Sequence, residues 1–458
     1  MTRRMLLTLT VAGLVLAASA ALGADAEKPK TADWRLDPLP KNVIDPDCLQ
    51  YKGAFNVPPE GSRYLSWAYA QCGLAYWPGG DPKGPHDGFP GSLFGVGHAY
   101  GHCVSEFTIP VPKIPKKKDW RELPVAKTLQ KFATVTKGTK DQAGKEFSLP
   151  MRAIGFLPKQ GPQKGDKLYF TGWLSYRPTN GWTFGMCSAD LSKPEPAGMW
   201  RLKGHSAFSA SNAVMAIPKA WAGKHLGGRT LAFAGGINGT SGYGTGKGPA
   251  IVACAPWAEY KEDQPPDPGT QLKNVTLLKY GNWRGGGKVR DVQVSDGWHG
   301  AAWVTLGEDS AVVFVGVKDI GVGWYGYPKD DKGLKVYDRK KKKEGESRFI
   351  NEKGEPVEKV KGNRGWKADF PRACIYFYNP ADLAEVAAGK KKPGEPQYYA
   401  RLDVGELMFT TPGLHGCGYD AKNGILYSFE KRGCNVRYGG RPVVHVWKIK
   451  PAEAKEGE

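Results

Sequence analysis

The chain repeats one pattern five times, and few folds can absorb such a repeat. Each unit begins with a strand-like run of small residues. A second run enters a glycine-rich loop, a third returns, and usually a fourth follows. The first unit reads CGLAYW, SLFGVGH, CVSEFTIP. The second reads MRAIGFLP, KLYFTGW, TFGMCSADL, GMWRL. The third reads SNAVMAIP, TLAFAGG, AIVACAPW, VTLLKYG. The fourth reads HGAAWVTL, AVVFVGV, ACIYFYNPADL, QYYARLDV, and the fifth HGCGYDAKNG, ILYSFEK, VVHVWKI. The runs are short, β-rich and bounded by Gly, Pro, Asn and Asp, which marks them as strands. Helical periodicity is confined to one or two turns near Lys219–Ala222 and Pro380–Ala388.

Self-similarity at this scale predicts an all-β, five-bladed β-propeller, in which each blade is a four-stranded sheet. Small residues in the first run of each unit suit strands crowded around an axis. The fifth unit lacks an outer strand, and LQYKGAFNVP, ahead of the first unit, has no other home. It is expected to close the last blade, which removes a raw sheet edge. A two-sheet sandwich or two unrelated β domains would leave the match between units unexplained. The expected organisation is a signal peptide at 1–24, a linker at 25–45, a propeller at 46–450 and a charged tail at 451–458. Blades fall roughly at 66–142, 148–203, 205–282, 297–405 and 413–450, with 48–58 as the closing strand.

The first residues carry Arg3 and Arg4, an apolar run to Leu16 and small residues up to Ala24, the pattern of a secretory signal. The run TRRMLL also fits a twin-arginine export signal. A soluble periplasmic or extracellular protein without a membrane span is expected. The net charge of +20 would otherwise suggest nucleic acid, but export argues against that partner. An acidic polysaccharide or oligosaccharide fits both charge and compartment. Basic runs at Lys113–Arg121 and Arg339–Lys343, the second in a long loop from about Tyr325 to Lys367, could attract such a polymer. An oxidising compartment permits disulfides among the eight cysteines. Cys72 and Cys417 occupy matching positions in the first and last blades and form the candidate bridge, with Cys48 and Cys434 a second pair near the same seam. Cys103, Cys187, Cys254 and Cys374 recur in third strands and read as buried thiols.

In such a fold, the loops entering first strands and those joining second to third strands share one face. GHAYGHC places His98, Tyr100 and His102 there. His205, Asp296, Trp298, His299 and His415 enter first strands. Trp173, Tyr176, Arg177, Asn238, Tyr243, Lys318, Asp319, Trp324, Tyr325, Glu430 and Arg437 belong to loops between second and third strands. Five of eight histidines thus map to one face, and a cavity lined by aromatics with a few convergent polar groups is the default small-ligand site.

The pattern resembles secreted bacterial five-bladed propellers, at the level of blades across most of the chain. Those propellers include furanosidase-type glycoside hydrolases, and that resemblance implies central carboxylates working as acid and base. Asp296, Asp319, Asp369 and Glu430 are the available acids, but CGLAYW carries none where the resemblance wants one. Three readings follow. Trp and Tyr could stack on sugar rings, with His299, His415, Asp296 and Glu430 as catalytic candidates. Alternatively, His98, His102, His205, His299 and His415 could hold a divalent transition metal, as in a polysaccharide lyase. The third reading is a lectin-like or partner-binding scaffold without catalysis.

Overall fold

The structure is a computed structural model that describes residues 33–451, apart from 72, 83, 85, 141–143, 173–183, 207–209, 238–246, 282–286, 294, 328–335, 339–348, 352–364, 411–412 and 437–439. Among the described residues it is all-β, with two short α-helices.

The strands form five antiparallel four-stranded groups, the first four of them meanders in chain order. Sheet one contains Leu74–Trp77, Ser92–Val96, Cys103–Thr108 and Thr128–Thr134. Sheet two contains Met151–Leu157, Lys167–Gly172, Phe184–Ser188 and Ala197–Leu202. Sheet three contains Ala213–Ala216, Leu231–Ile237, Ala250–Cys254 and Asn274–Lys279. Sheet four contains Gly297–Leu306, Asp309–Tyr327, Gly365–Tyr378 and Tyr398–Asp403. Two rungs, Gly236 with Trp298 and Ile237 with Gly297, join sheets three and four. Sheet five contains Leu414–Asp420, Ile425–Cys434 and Arg441–Ile449, and its fourth strand is Leu49–Asn56 from the other end of the chain. The expected closing strand is therefore paired as anticipated, from Leu49 opposite Ile449 to Asn56 opposite Val443.

Both faces of each sheet are buried, and successive residues serve different neighbours because side chains alternate along a strand. Leu168 and Phe170 join a core with Phe94 and Val104 of sheet one. Tyr169 between them joins Phe233 and Val252 of sheet three. Phe314 packs with Ile251 and Ala232 of sheet three, whereas Val313 and Val315 pack with Leu426 and Trp447 of sheet five. Phe429 and Tyr427 of sheet five meet Leu93 and Phe107 of sheet one. Cores thus lie between sheets one and two, two and three, three and four, four and five, and five and one. First strands pack in the same succession, from sheet one through sheet five and back to sheet one. A cavity of about 240 Å³ is lined by Ala75, Gly155, Val214, Ala302 and Gly418, one residue from each first strand.

The helix Lys219–Leu226 links the first two strands of sheet three and ends at Gly227, whose φ of 58° supplies the left-handed cap. The helix Pro380–Ala387 starts at Asn379, whose side chain accepts from the Ala381 N–H. The segment after Thr108 crosses the outer edge of Leu49–Asn56. Ala54 and Lys113 exchange backbone hydrogen bonds, and the Asn56 N–H donates to the Pro124 carbonyl. The basic run Lys113–Arg121 therefore begins by covering a sheet edge rather than as a free loop.

Three expectations need correction. The linker is partly structured, since Trp34 and Arg35 pair with Arg401 and Ala400 at the edge of sheet four. The long loop of the fourth unit starts as a ribbon, with pairing that continues from Lys318–Arg372 out to Gly326–Gly365; its basic run 339–343 lies outside the described residues. Among the described residues no cysteine bridge forms. Cys417 and Cys434 carry free thiols, and the Cys434 thiol donates to the Asn56 side-chain carbonyl at 3.0 Å. Cys72 lies outside the described residues. Cys103, Cys187, Cys254 and Cys374 are buried thiols, as expected. Thiol titration in denaturant without reductant should count both Cys417 and Cys434 by mass mapping; alkylation of neither would restore the bridges.

Candidate functional site

The sequence His-Gly recurs at the start of two neighbouring first strands, and the glycines explain what the histidines do. A Cβ on Gly300 would lie 2.6 Å from the Gly416 carbonyl carbon, so only glycine lets these strands cross at this distance. Both strands are also bulged here. The register with the second strand slips between Trp298 and Gly300 and between His415 and Cys417. A bulge redirects side chains. The result is a stacked pair, with the His299 and His415 rings 4.4 Å apart and 11° from parallel.

Both rings keep partial solvent access while protein atoms surround them densely. Burial pushes the His299 imidazole down to about 3, and the nearby cations Lys431 and Arg152 add to the effect. His415 is lowered for the same reasons, burial first, then His299 and the same two cations. Both are therefore neutral at pH 7, and each offers one N–H donor and one acceptor. Arg152 stands in the first strand of sheet two and bonds the Gln71 side chain, just ahead of the first strand of sheet one. Burial brings Arg152 down to about 10, which leaves it cationic at neutral pH.

Gln71, Arg152, Asn212, His299 and His415 all lie at the starts of the five first strands. A sequence search for histidines, acids and loop aromatics misses the first three. The signal was present in MRAIGFL, where a lone arginine interrupts an apolar run.

The other candidates disperse. Asp296 is buried, and its two oxygens accept from Lys318 Nζ at 3.2 and 3.0 Å and from the Asp319 and Gln293 N–H groups, each at 2.9 Å. Burial raises its carboxyl to about 6 even with Lys318 beside it. Lys318 is itself 5% exposed and belongs to this pair rather than to a binding face. Asp319 is buried and raised by desolvation. Glu430 is fully buried. It accepts from the Phe409 and Thr410 N–H groups at 2.8 and 2.6 Å, and His445 Nε2 lies 3.1 Å from it. His445 Nδ1 is 2.8 Å from the Tyr51 hydroxyl. These bonds hold Glu430 as a structural anchor across three strands, not as an acid facing a ligand.

Trp298 is 1% exposed and packs on Tyr376, and Trp324 is 4% exposed, so neither presents a ring for stacking. His205 bonds Thr276 of an outer strand at 2.9 Å, away from the first strands. His102 adopts a left-handed φ of 46°, which turns its ring inward edge-on to Phe147. His98 instead lies among Tyr64, Tyr69 and Tyr100. The five histidines are thus not one ligand set; only His299 and His415 meet. Among the described residues, no three His, Cys, Asp or Glu side chains converge as a metal site would require. Tyr100 is exposed as expected. Trp173, Tyr176, Arg177, Asn238, Tyr243 and Arg437 lie outside the described residues, as does the side chain of Tyr325. Asp369, the remaining acid, sits in the third strand of sheet four beside Gly321.

No protein-family model matches the chain, and no curated protein matches it. No helix among the described residues is long and apolar enough to cross a membrane.

Proposed function

We propose that the chain is an exported five-bladed β-propeller that binds an anionic carbohydrate at the centre of one face. The cyclic order of the five cores and the cavity touched by every first strand support the propeller. The stacked neutral pair His299 and His415, set beside Arg152 and Lys431, carries the binding reading. A guanidinium matches a carboxylate or sulfate in geometry as well as charge. Neutral imidazoles complement sugar hydroxyls, which both donate and accept. Binding is preferred to glycoside hydrolysis because the oxygens of Asp296 and Glu430 are already engaged by Lys318, backbone amides and His445. Export to the periplasm or the cell exterior rests on the leader sequence and belongs to the same proposal.

Isothermal titration with acidic and neutral oligosaccharides over a salt series tests this. Acidic ligands should bind preferentially and weaken as salt rises, because screening reduces charge attraction. Arg152→Met should lower their affinity by about 30-fold or more, the usual loss for truncating one side of a buried charged contact. Equal binding of neutral and acidic sugars, or indifference to salt, would remove the reading.

A further inference from the structure

A second feature of the face lies beside the cationic centre. Residues 59–69 form a small hairpin, with Gly61 and Ser62 opposite Ser66 and Leu65. Trp67 anchors it in the core against Phe107, Phe132 and Phe429. Ser66 Oγ donates to the Arg63 carbonyl at 2.7 Å. Arg63 and Tyr69 hold φ values of 52° and 54°, a conformation non-glycine residues rarely adopt. The hairpin is thus pinned in a shape that keeps Tyr64 62% and Tyr69 47% exposed, next to Tyr100 at 59%. All three rings pack around His98, with Tyr64 and Tyr69 edge-on at 4.9 and 5.6 Å and Tyr100 at 6.4 Å. Tyr64, Tyr69 and His98, with Arg63 and Arg441, border a cleft of about 750 Å³.

Exposed aromatics concentrated in one rigid cleft mark a binding surface. Tyrosine gives a flat apolar face with a polar rim, which suits a pyranose ring. A cage of aromatics would also suit a quaternary ammonium, but Arg63 and Arg441 border this cleft with Glu60 as the only acid among its described lining residues. The charge favours an acidic or neutral ring instead. The loop that follows His98 links the cleft wall to the strand that carries Arg152. The Ala99 carbonyl accepts from the Met151 N–H at 3.1 Å, and Tyr100 interacts electrostatically with Arg152.

We propose that this cleft is a stacking subsite for sugar rings next to the acidic residue held at the centre, so that the ligand is an oligosaccharide chain rather than a free sugar acid. The inference rests on the anionic-carbohydrate reading of the central site and names its substrate class. Titration of the full chain with uronate and heparin-derived oligosaccharides, from mono- to hexasaccharide, tests it. Wild-type affinity should rise at least about tenfold with length. The double variant Tyr64→Ala/Tyr69→Ala should lose that rise, and Tyr64→Phe/Tyr69→Phe should keep it. Both tyrosines are exposed, so unchanged melting curves would confirm that the variants fold. A wild-type affinity independent of length, or a rise retained in the alanine variant, would overturn the subsite. Monosaccharide binding that still depends on Arg152 would in that case preserve the central site. No binding of any acidic ligand at any length would overturn both.

Discussion

Gly300→Val should destabilise the protein by roughly 3 kcal/mol or more, the upper range for overpacking a dense interior. The reason is backbone against backbone. A Cβ here meets three main-chain atoms of Gly416 at 2.6 to 2.8 Å. No rotamer can relieve that contact, so the two first strands must separate, and the His299–His415 stack separates with them. Thermal melts and urea titrations should show the loss, with little soluble protein at 37 °C. Gly223→Ala is the comparison. No atom lies within 4 Å of its would-be Cβ, and the residue sits within a helix. That change should stabilise by about 0.5–1 kcal/mol. A Gly300→Val protein that melts with the wild type would show that the strands tolerate wider spacing.

Removing the Glu430 side chain is expected to cost about 3 kcal/mol or more, because three buried groups lose their acceptor at once. Glu430→Ala would strip the partner from His445 Nε2 and from the Phe409 and Thr410 amides in a fully buried site. Glu430→Gln keeps an acceptor and should lose less. Urea unfolding at pH 7 measures both, and a cost below about 1 kcal/mol would mean the network carries little stability. The pH dependence has a definite sign. Burial pushes the Glu430 carboxyl up, but His445 and two amides together outweigh it and hold the carboxyl below its ordinary 4.5. Its contribution is present above that value and is lost as pH falls through the folded one. His299 and His415 act in the same direction. Both are lowered from 6.5, so the unfolded chain takes up their protons first, and stability declines as pH drops below about 6.5. The histidines thus lower stability below about pH 6.5, opposed below about pH 6 by Asp296, whose raised carboxyl takes up its proton first in the folded chain, and His299→Gln/His415→Gln should flatten the upper part of the decline.

The sequence made the strand units legible because small first strands and alternating second strands leave a pattern that survives without an alignment. It also exposed the orphan strand LQYKGAFNVP, since the fifth unit supplies three strands where a blade takes four. It failed where glycine-rich runs were read as loops. KDIGVGWYGY continues the second strand of sheet four through Tyr327, which buries Lys318 and Trp324 where exposure was expected. Trp298 failed for a related reason. It precedes the bulge at His299, and the bulge separates the directions of the two side chains. Histidine spacing in GHAYGHC misled because a single left-handed residue, His102, turns its ring away from His98. Arg152 leaves no loop signal, because the centre is built from strand starts.

The pairing of Leu49–Asn56 with Arg441–Ile449 also sets a clock on biosynthesis. The 400 residues separating Leu49 from Ile449 must be made before that strand meets its partner. At an elongation rate of about 5–20 residues per second, the wait is roughly 20–80 s. During it, the nascent chain carries an unsatisfied strand containing Ala54 and Phe55, both fully buried in the finished sheet. Such strands invite pairing with other chains. The segment Ile109–Lys127, made within about the first 4–16 s of that wait, bonds Ala54 and Asn56 along the opposite edge in the finished fold. It can shield one side of the early strand as an internal escort until the last strand arrives.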